Sequence, residues 1–306
     1  MGSNSKKIEL LFLFVTAIIL IAATSIFGNG MRLIKEKFLQ TDPGESFYVD
    51  ASGADVKVES WDKNESYVKI YGNSKAEDKM HFEIEKVSDG VRVTAKKKGS
   101  SWFNWFGGGY SVKIEVMLPS KYNTEIHTSG GDIFISNIFG ENTLNTSGGD
   151  IKLFNTEGEL SVETSGGDIS INQHKGNSKL STSGGNITTT KLAGDLKAST
   201  SGGDIKIDVS DGRIFAKTSG GDIDIFYSGT NKGIEARTSG GGIRAKVPSS
   251  LKANVYLETS GGEIESNFSN ARTNKVSRSS LKAEYNGGGE TLVCKTSGGD
   301  IVINER

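Results

Sequence analysis

The sequence predicts an all-β protein, a single β-solenoid of turns about 18 residues long preceded by one N-terminal transmembrane helix. Three observations carry this. The motif Thr-Ser-Gly-Gly-x-Ile begins at Thr128, Thr146, Thr164, Thr182, Thr200 and Thr218 in steps of 18, then at Thr238, Thr259 and Thr296 after steps of 20, 21 and 37. A short motif at fixed period marks an array whose repeats bury their apolar faces against one another. Apolar residues alternate on both sides of each Gly pair, as in Leu160, Val162, Ile169 and Ile171, which is the period of a strand. An uncharged stretch, Leu10 to Phe27, stands apart near the N-terminus.

Residues 1–9 form a short tail carrying Lys6 and Lys7. Residues 10–27 are 18 residues without a charge, at the lower edge for a membrane-spanning helix. A cleaved signal is the alternative, but Ala22-Ala23-Thr24-Ser25 matches a cleavage site only in part, and bulky Ile26 and Phe27 follow. Lys6 and Lys7 favour an N-terminus inside, although Arg32, Lys35 and Lys37 flank the other end. The expectation is a single-pass cell-membrane protein with its large C-terminal part extracytoplasmic. Residues 28–45 read as a tether.

Residues 46–127 read as divergent capping β turns of the same solenoid. Val56-Lys57-Val58, Tyr67-Val68-Lys69-Ile70 and Val91-Arg92-Val93 alternate, and Ala51-Ser52-Gly53-Ala54-Asp55-Val56 is a worn copy of the motif. Within this region Trp102, Phe103, Trp105 and Phe106 stand beside Gly107-Gly108-Gly109. They either plug the end of the solenoid or form a tip that touches a partner or the membrane. Lys96-Lys97-Lys98 reads as a solvated turn.

Residues 128–306 are the solenoid itself. Ile stands five residues after all nine motif threonines, and with the alternating positions around the motif it defines an inward aliphatic face. Stacked at about 4.8 Å, ten such turns make a rod roughly 45 Å long. Parity turns the Thr inward, with its hydroxyl able to bond the turn backbone, and the Ser outward. Gly130, Gly131, Gly148, Gly149, Gly166, Gly167, Gly184, Gly185, Gly202, Gly203, Gly220 and Gly221 supply corners where positive φ is permitted. Gly140, Gly158, Gly176, Gly194 and Gly212, each twelve after a Thr, mark a second corner. The 37-residue step implies a decayed copy between Thr259 and Thr296.

The column Asp132, Asp150, Asp168, Asp204 and Asp222 suggests calcium, but one short Gly-Gly-Asp per turn is not the paired loop that calcium β-rolls use. Asn186, Gly242 and Glu263 interrupt it. Structural capping of the turn is the preferred reading. The outward positions Phe134, Lys152, Ser170, Thr188, Lys206, Asp224, Arg244, Glu265 and Val302 share no chemistry, so the repeat encodes no repetitive ligand surface. Inward threonines argue against an ice-binding face.

A net charge of -1, from 36 basic and 37 acidic residues, gives no field for nucleic acid. Cys294 is the only cysteine, and His81, His127 and His174 sit in no metal-ligand spacing. No catalytic constellation can be assembled, so neither enzyme activity nor a cofactor is expected.

From about Phe47 to Arg306 the chain resembles a bacterial envelope domain of unknown function labelled "putative adhesin". The likeness rests on Ser52-Gly53-Ala54-Asp55-Val56, on Leu118-Pro119-Ser120 and Val247-Pro248-Ser249 ahead of motif copies, on the serial motif, and on Gly287-Gly288-Gly289-Glu290-Thr291-Leu292. The resemblance implies an adhesin-like, non-enzymatic structural module whose partner is another envelope protein or a surface polymer. It also implies an alternative, a regulatory partner in an envelope-stress system, and it brings no ligand residues. A calcium- or glycan-binding rod is a further alternative.

Overall fold

The computed structural model describes residues 30–98 and 109–306. The described strands form two sheets, of 13 and 14 strands, whose inner faces enclose one aliphatic core. Each turn contributes one strand to each sheet. Strands leading into the motif, such as Leu160–Glu163, stack in one sheet, and strands leaving it, such as Ile169–Lys175, stack in the other. From the Thr128 turn to the Thr238 turn all pairing is parallel, Ile151 facing Ile133 and Ile169, and Leu144 facing Ile126 and Val162. Ile133, Ile151, Ile169, Ile187, Ile205, Ile223, Ile243 and Ile301 are all fully buried. A buried Ile side chain is worth about 1.5–3 kcal/mol, so this column alone is a large part of the driving force for stacking.

The four turns that begin at Thr128, Thr146, Thr164 and Thr182 have one bend more than two corners require. Asn137, Asn155, Gln173 and Lys191, each nine residues after a motif Thr, take φ between 51° and 60°. This left-handed residue interrupts the alternation, and the residue after it (Ile138, Thr156, His174, Leu192) turns inward again. Asn tolerates that backbone, so Asn137 and Asn155 were a legible signal, whereas Gln173 and Lys191 were not. Asn155 Nδ2 donates to Asn137 Oδ1 at 2.6 Å, tying two successive bends.

The expected decayed copy between Thr259 and Thr296 does not exist. Residues 271–285 instead make an antiparallel hairpin, Ala271–Ser277 with Ser280–Tyr285, the second strand of which pairs with Ala253–Thr259. The chain then returns inward. Thr291–Thr296 lies between Ile234–Arg237 and Ala253–Thr259, and Ile301–Glu305 lies between Ile243–Val247 and Ile264–Asn267. The Thr296 turn is therefore inserted between the Thr238 and Thr259 turns, so sequence order and stacking order differ. The hairpin that consumes the 37-residue step also covers this end of the rod. The Ile264 backbone N–H donates to the Arg278 carbonyl, and the rings of Phe268 and Tyr285 stack at 3.9 Å.

The other end is interleaved in the same way. Ser46–Ala51 lies between Asn123–Thr128 and Gly90–Lys97, and Ala54–Trp61 lies between Ile133–Ser136 and Val112–Pro119. Outside them run antiparallel strands: Met80–Val87 on one sheet, and Glu65–Gly72 followed by Arg32–Gln40 on the other. Residues 28–45, read from the sequence as a tether, thus contain a terminal strand, because the open turn offers it a row of backbone partners. Lys35 and Lys37 of that strand donate to the carbonyls of Phe82 and Ile84 on the opposite sheet, closing the gap between the edges. The six-residue helix Ser74–Lys79, capped by Asn73, links the two layers.

Among the described residues no helix is long and apolar enough to cross a membrane. The expected anchor at residues 10–27 lies outside them, as do Trp102, Phe103, Trp105 and Phe106.

Candidate binding groove

The motif side chains are consumed by stacking. Each motif Thr is buried, and from Thr146 onward its hydroxyl donates to the second-glycine carbonyl of the neighbouring turn, as from Thr146 to Gly131, Thr164 to Gly149, Thr182 to Gly167 and Thr200 to Gly185, all at 2.9–3.0 Å, while Thr128 donates to the Ala54 carbonyl. The same oxygen accepts the N–H of the second glycine in its own turn, as for Gly167 on Thr164. One hydroxyl thus satisfies two backbone groups and clips adjacent turns together.

The second glycine of each pair, Gly131, Gly149, Gly167, Gly185, Gly203 and Gly221, is required for close approach, since none of them takes positive φ. A Cβ on Gly167 would sit 2.0 Å from the carbonyl oxygen of Gly149. The first glycines Gly130, Gly148, Gly166, Gly184 and Gly202 have far more room, the nearest neighbour to such a Cβ being 3.4 Å away at Gly202. Gly220 is tighter, at 3.1 Å.

The aspartate column caps the next turn instead of its own. Oδ1 of Asp132 accepts the N–H of Asp150, Asp150 that of Asp168, Asp168 that of Asn186, Asn186 that of Asp204, and Asp204 that of Asp222, at 2.7–3.0 Å. Asn186 therefore serves as well as an aspartate. The donated N–H of Asp168 holds the Asp150 carboxyl below its ordinary range, with Lys152 adding to the effect, and Asp222 is lowered likewise by Gly242 N–H and by Arg244. Among the described residues no group of three His, Cys, Asp or Glu side chains is placed to hold a metal ion.

What remains for recognition lies on the sheet that leads into the motif. A shallow groove of about 450 Å³ runs along it across five turns. Its outer row is Glu141, Glu159, Asn177, Asp195 and Arg213, each the residue directly after a second-corner glycine. Two residues further along each strand stand Thr143, Ser161, Lys179, Lys197 and Phe215, which form the inner row. The residues between the rows, such as Leu160 and Leu196, point into the core, and this leaves the trough. Parallel register holds each row in line, Thr143 beside Ser161, Ser161 beside Lys179, Lys179 beside Lys197, and Lys197 beside Phe215.

Much of the outer row is pre-positioned. Asn177 Nδ2 donates to Glu159 Oε1 at 2.9 Å, Asn177 Oδ1 accepts the Asp195 N–H, and Asp195 Oδ1 accepts the Arg213 N–H at 2.8 Å. Arg213 Nε donates to the Lys232 carbonyl. In the inner row the Lys197 ammonium sits 5.7 Å from the centre of the Phe215 ring. Three carboxylates and three cations line the groove, so it carries no net charge. The sequence reading missed this site because it followed the outward positions of the other sheet. The signal available was the polar residue after each second-corner glycine.

The Toastrack DUF4097 family model matches residues 45–210 and 193–304, and the chain belongs to that family. No curated protein matches it. Among solved structures it is similar to a "putative adhesin" from Bacteroides fragilis, at 13% identity and a TM-score of 0.44, over 89% of this chain and 97% of that one. It is also similar to a "putative adhesin" from Parabacteroides merdae, at 14% identity and a TM-score of 0.40, over 91% and 97%. A "putative lipid binding protein" from Parabacteroides distasonis matches at 14% identity and a TM-score of 0.33, over 91% and 98%.

Proposed function

We infer that this Toastrack-family chain is a non-enzymatic, adhesin-like interaction module of the bacterial envelope. Its N-terminal segment holds it at the membrane, the rod projects on the extracytoplasmic side, and the groove is where it meets its partner. The observation that carries this reading is the division of labour along the repeat. Thr, Gly and Asp of the motif are occupied in joining turns, whereas the groove rows vary in chemistry from turn to turn and leave polar groups facing solvent. The fold requires the first set at every turn, whereas within the second it caps a neighbouring turn only through Asn177 and Asp195. Conserving shape while varying surface chemistry suits a scaffold for binding.

The test is photo-crosslinking in intact cells. A photoreactive residue replaces Ser161 or Lys179 in the groove, or Lys152 or Lys206 on the opposite sheet. Adducts from the groove positions and not from the opposite sheet are the expected result. Equal labelling of both faces, or of neither, would refute the reading. Labelling a Ser165→Cys variant with a membrane-impermeant maleimide tests the orientation: an unlabelled residue in intact cells puts the rod on the wrong side.

A further inference from the structure

We propose that the groove binds a linear, uncharged glycan lying along the rod axis, about one sugar to each of its five turns. This assignment rests on the interaction-module reading and names its ligand class. Three observations select it over other extended polymers.

The first is spacing. Successive turns present equivalent side chains about 4.8 Å apart, whereas a peptide strand advances about 3.3 Å per residue and repeats its facing side chains at about 6.6 Å. A peptide laid in this trough falls out of step within two turns. A pyranose ring in an extended polymer advances by nearly one turn, so each sugar meets a new pair from the two rows.

The second is charge. Glu141, Glu159 and Asp195 balance Lys179, Lys197 and Arg213. A polyanion would gain from the cations and lose to the carboxylates, and a polycation would meet the reverse. An uncharged polymer with both donors and acceptors loses nothing. Carboxylates and amide oxygens accept from sugar hydroxyls, while ammonium, guanidinium and amide N–H groups donate to them. The hydroxyls of Thr143 and Ser161 do either.

The third is Phe215. It ends the inner row half-exposed, with Lys197 against its ring, and offers the groove's one aromatic surface to the apolar face of a sugar ring.

The experiment is calorimetric titration of the full-length chain, held in a detergent without a sugar headgroup. The probes are cellohexaose, chitohexaose, laminarihexaose and maltohexaose, then the corresponding disaccharides. Polygalacturonate and an extended decapeptide of mixed sequence serve as the competing classes. At least one neutral hexasaccharide should bind, about tenfold or more tightly than its disaccharide, since two sugars reach only two of the five turns. Phe215→Ala and Lys179→Met should each weaken it about fivefold or more, whereas Lys152→Met on the opposite sheet should not. Unchanged thermal unfolding of the exposed-site variants separates lost binding from lost folding. Binding of none of the hexasaccharides overturns the assignment, as does preference for polygalacturonate or the peptide, or indifference to the groove variants. If groove crosslinks still form in cells, the interaction-module reading survives that failure. If they too are absent, both fall.

Discussion

Replacing Gly167 by alanine should cost several times what the same change costs at Gly166, although the two stand side by side in one motif. At Gly167 the new Cβ would lie 2.0 Å from the Gly149 oxygen, 2.4 Å from its carbonyl carbon and 2.8 Å from the Asp150 nitrogen. All three are backbone atoms of the neighbouring turn, so no side chain can swing aside. Reaching ordinary contact at 3.4 Å requires the turns to part locally by about 1.4 Å, the difference from 2.0 Å. That movement breaks the Thr164 hydroxyl bond to the Gly149 carbonyl and the Asp168 N–H bond to Asp150, both 3.0 Å long. Each bond is worth about 1 kcal/mol net, and overpacking adds about 1–3 kcal/mol, giving a loss of about 3–5 kcal/mol. At Gly166 the nearest atom to a new Cβ is 3.7 Å away and φ is not left-handed, so alanine should be neutral or stabilise by up to about 1 kcal/mol. Urea unfolding followed by circular dichroism measures the difference. Hydrogen exchange shows whether the loss is confined to the turns around Thr164, since a solenoid can open locally. Gly166→Ala and Gly167→Ala lying within about 1 kcal/mol of each other would refute the close-approach argument.

Three further outcomes are expected. Thr164→Val keeps the shape but leaves the Gly149 carbonyl and Gly167 N–H without their shared hydroxyl, costing about 1–3 kcal/mol in the same urea assay; Thr164→Ser retains both bonds and should cost less. His174 is buried, with Nδ1 on the Thr156 hydroxyl at 2.9 Å and Nε2 lacking a well-formed hydrogen bond, and burial pushes its pKa down. The unfolded chain then takes up the proton first, so stability is full above about pH 6.5 and falls as pH drops below it. His174→Leu, which copies Leu192 at the same place in the next turn, should flatten the wild-type decline between about pH 7 and 5 in thermal unfolding scans. Removing residues 291–306 should deprotect residues 253–285 in hydrogen exchange while the turns from Thr128 to Thr218 stay protected, because the lost strands lie inside the stack. Continued protection of 253–285 would contradict the inserted order.

The sequence by itself determined the period, the inward Ile column, the inward Thr and the two sheets, because these follow from strand parity and from a motif repeated in place. It also placed glycines at corners, but for the wrong reason: none of the twelve takes positive φ, and what excludes a side chain at the second of each pair is a contact, such as that between Gly167 and Gly149, that exists only once turns stack. The partners of the aspartates were hidden similarly, since Asp150 acts on a backbone N–H 18 residues away. Only the tertiary structure decided the order of the turns. A 37-residue step is equally compatible with two consecutive turns and with a hairpin that sends the chain back, and what separates them is the need to cover the open end of a stack. The groove belongs to the tertiary structure as well. Glu141, Glu159, Asn177, Asp195 and Arg213 share no chemistry along the chain, and they become one row because parallel register sets residues 18 apart side by side.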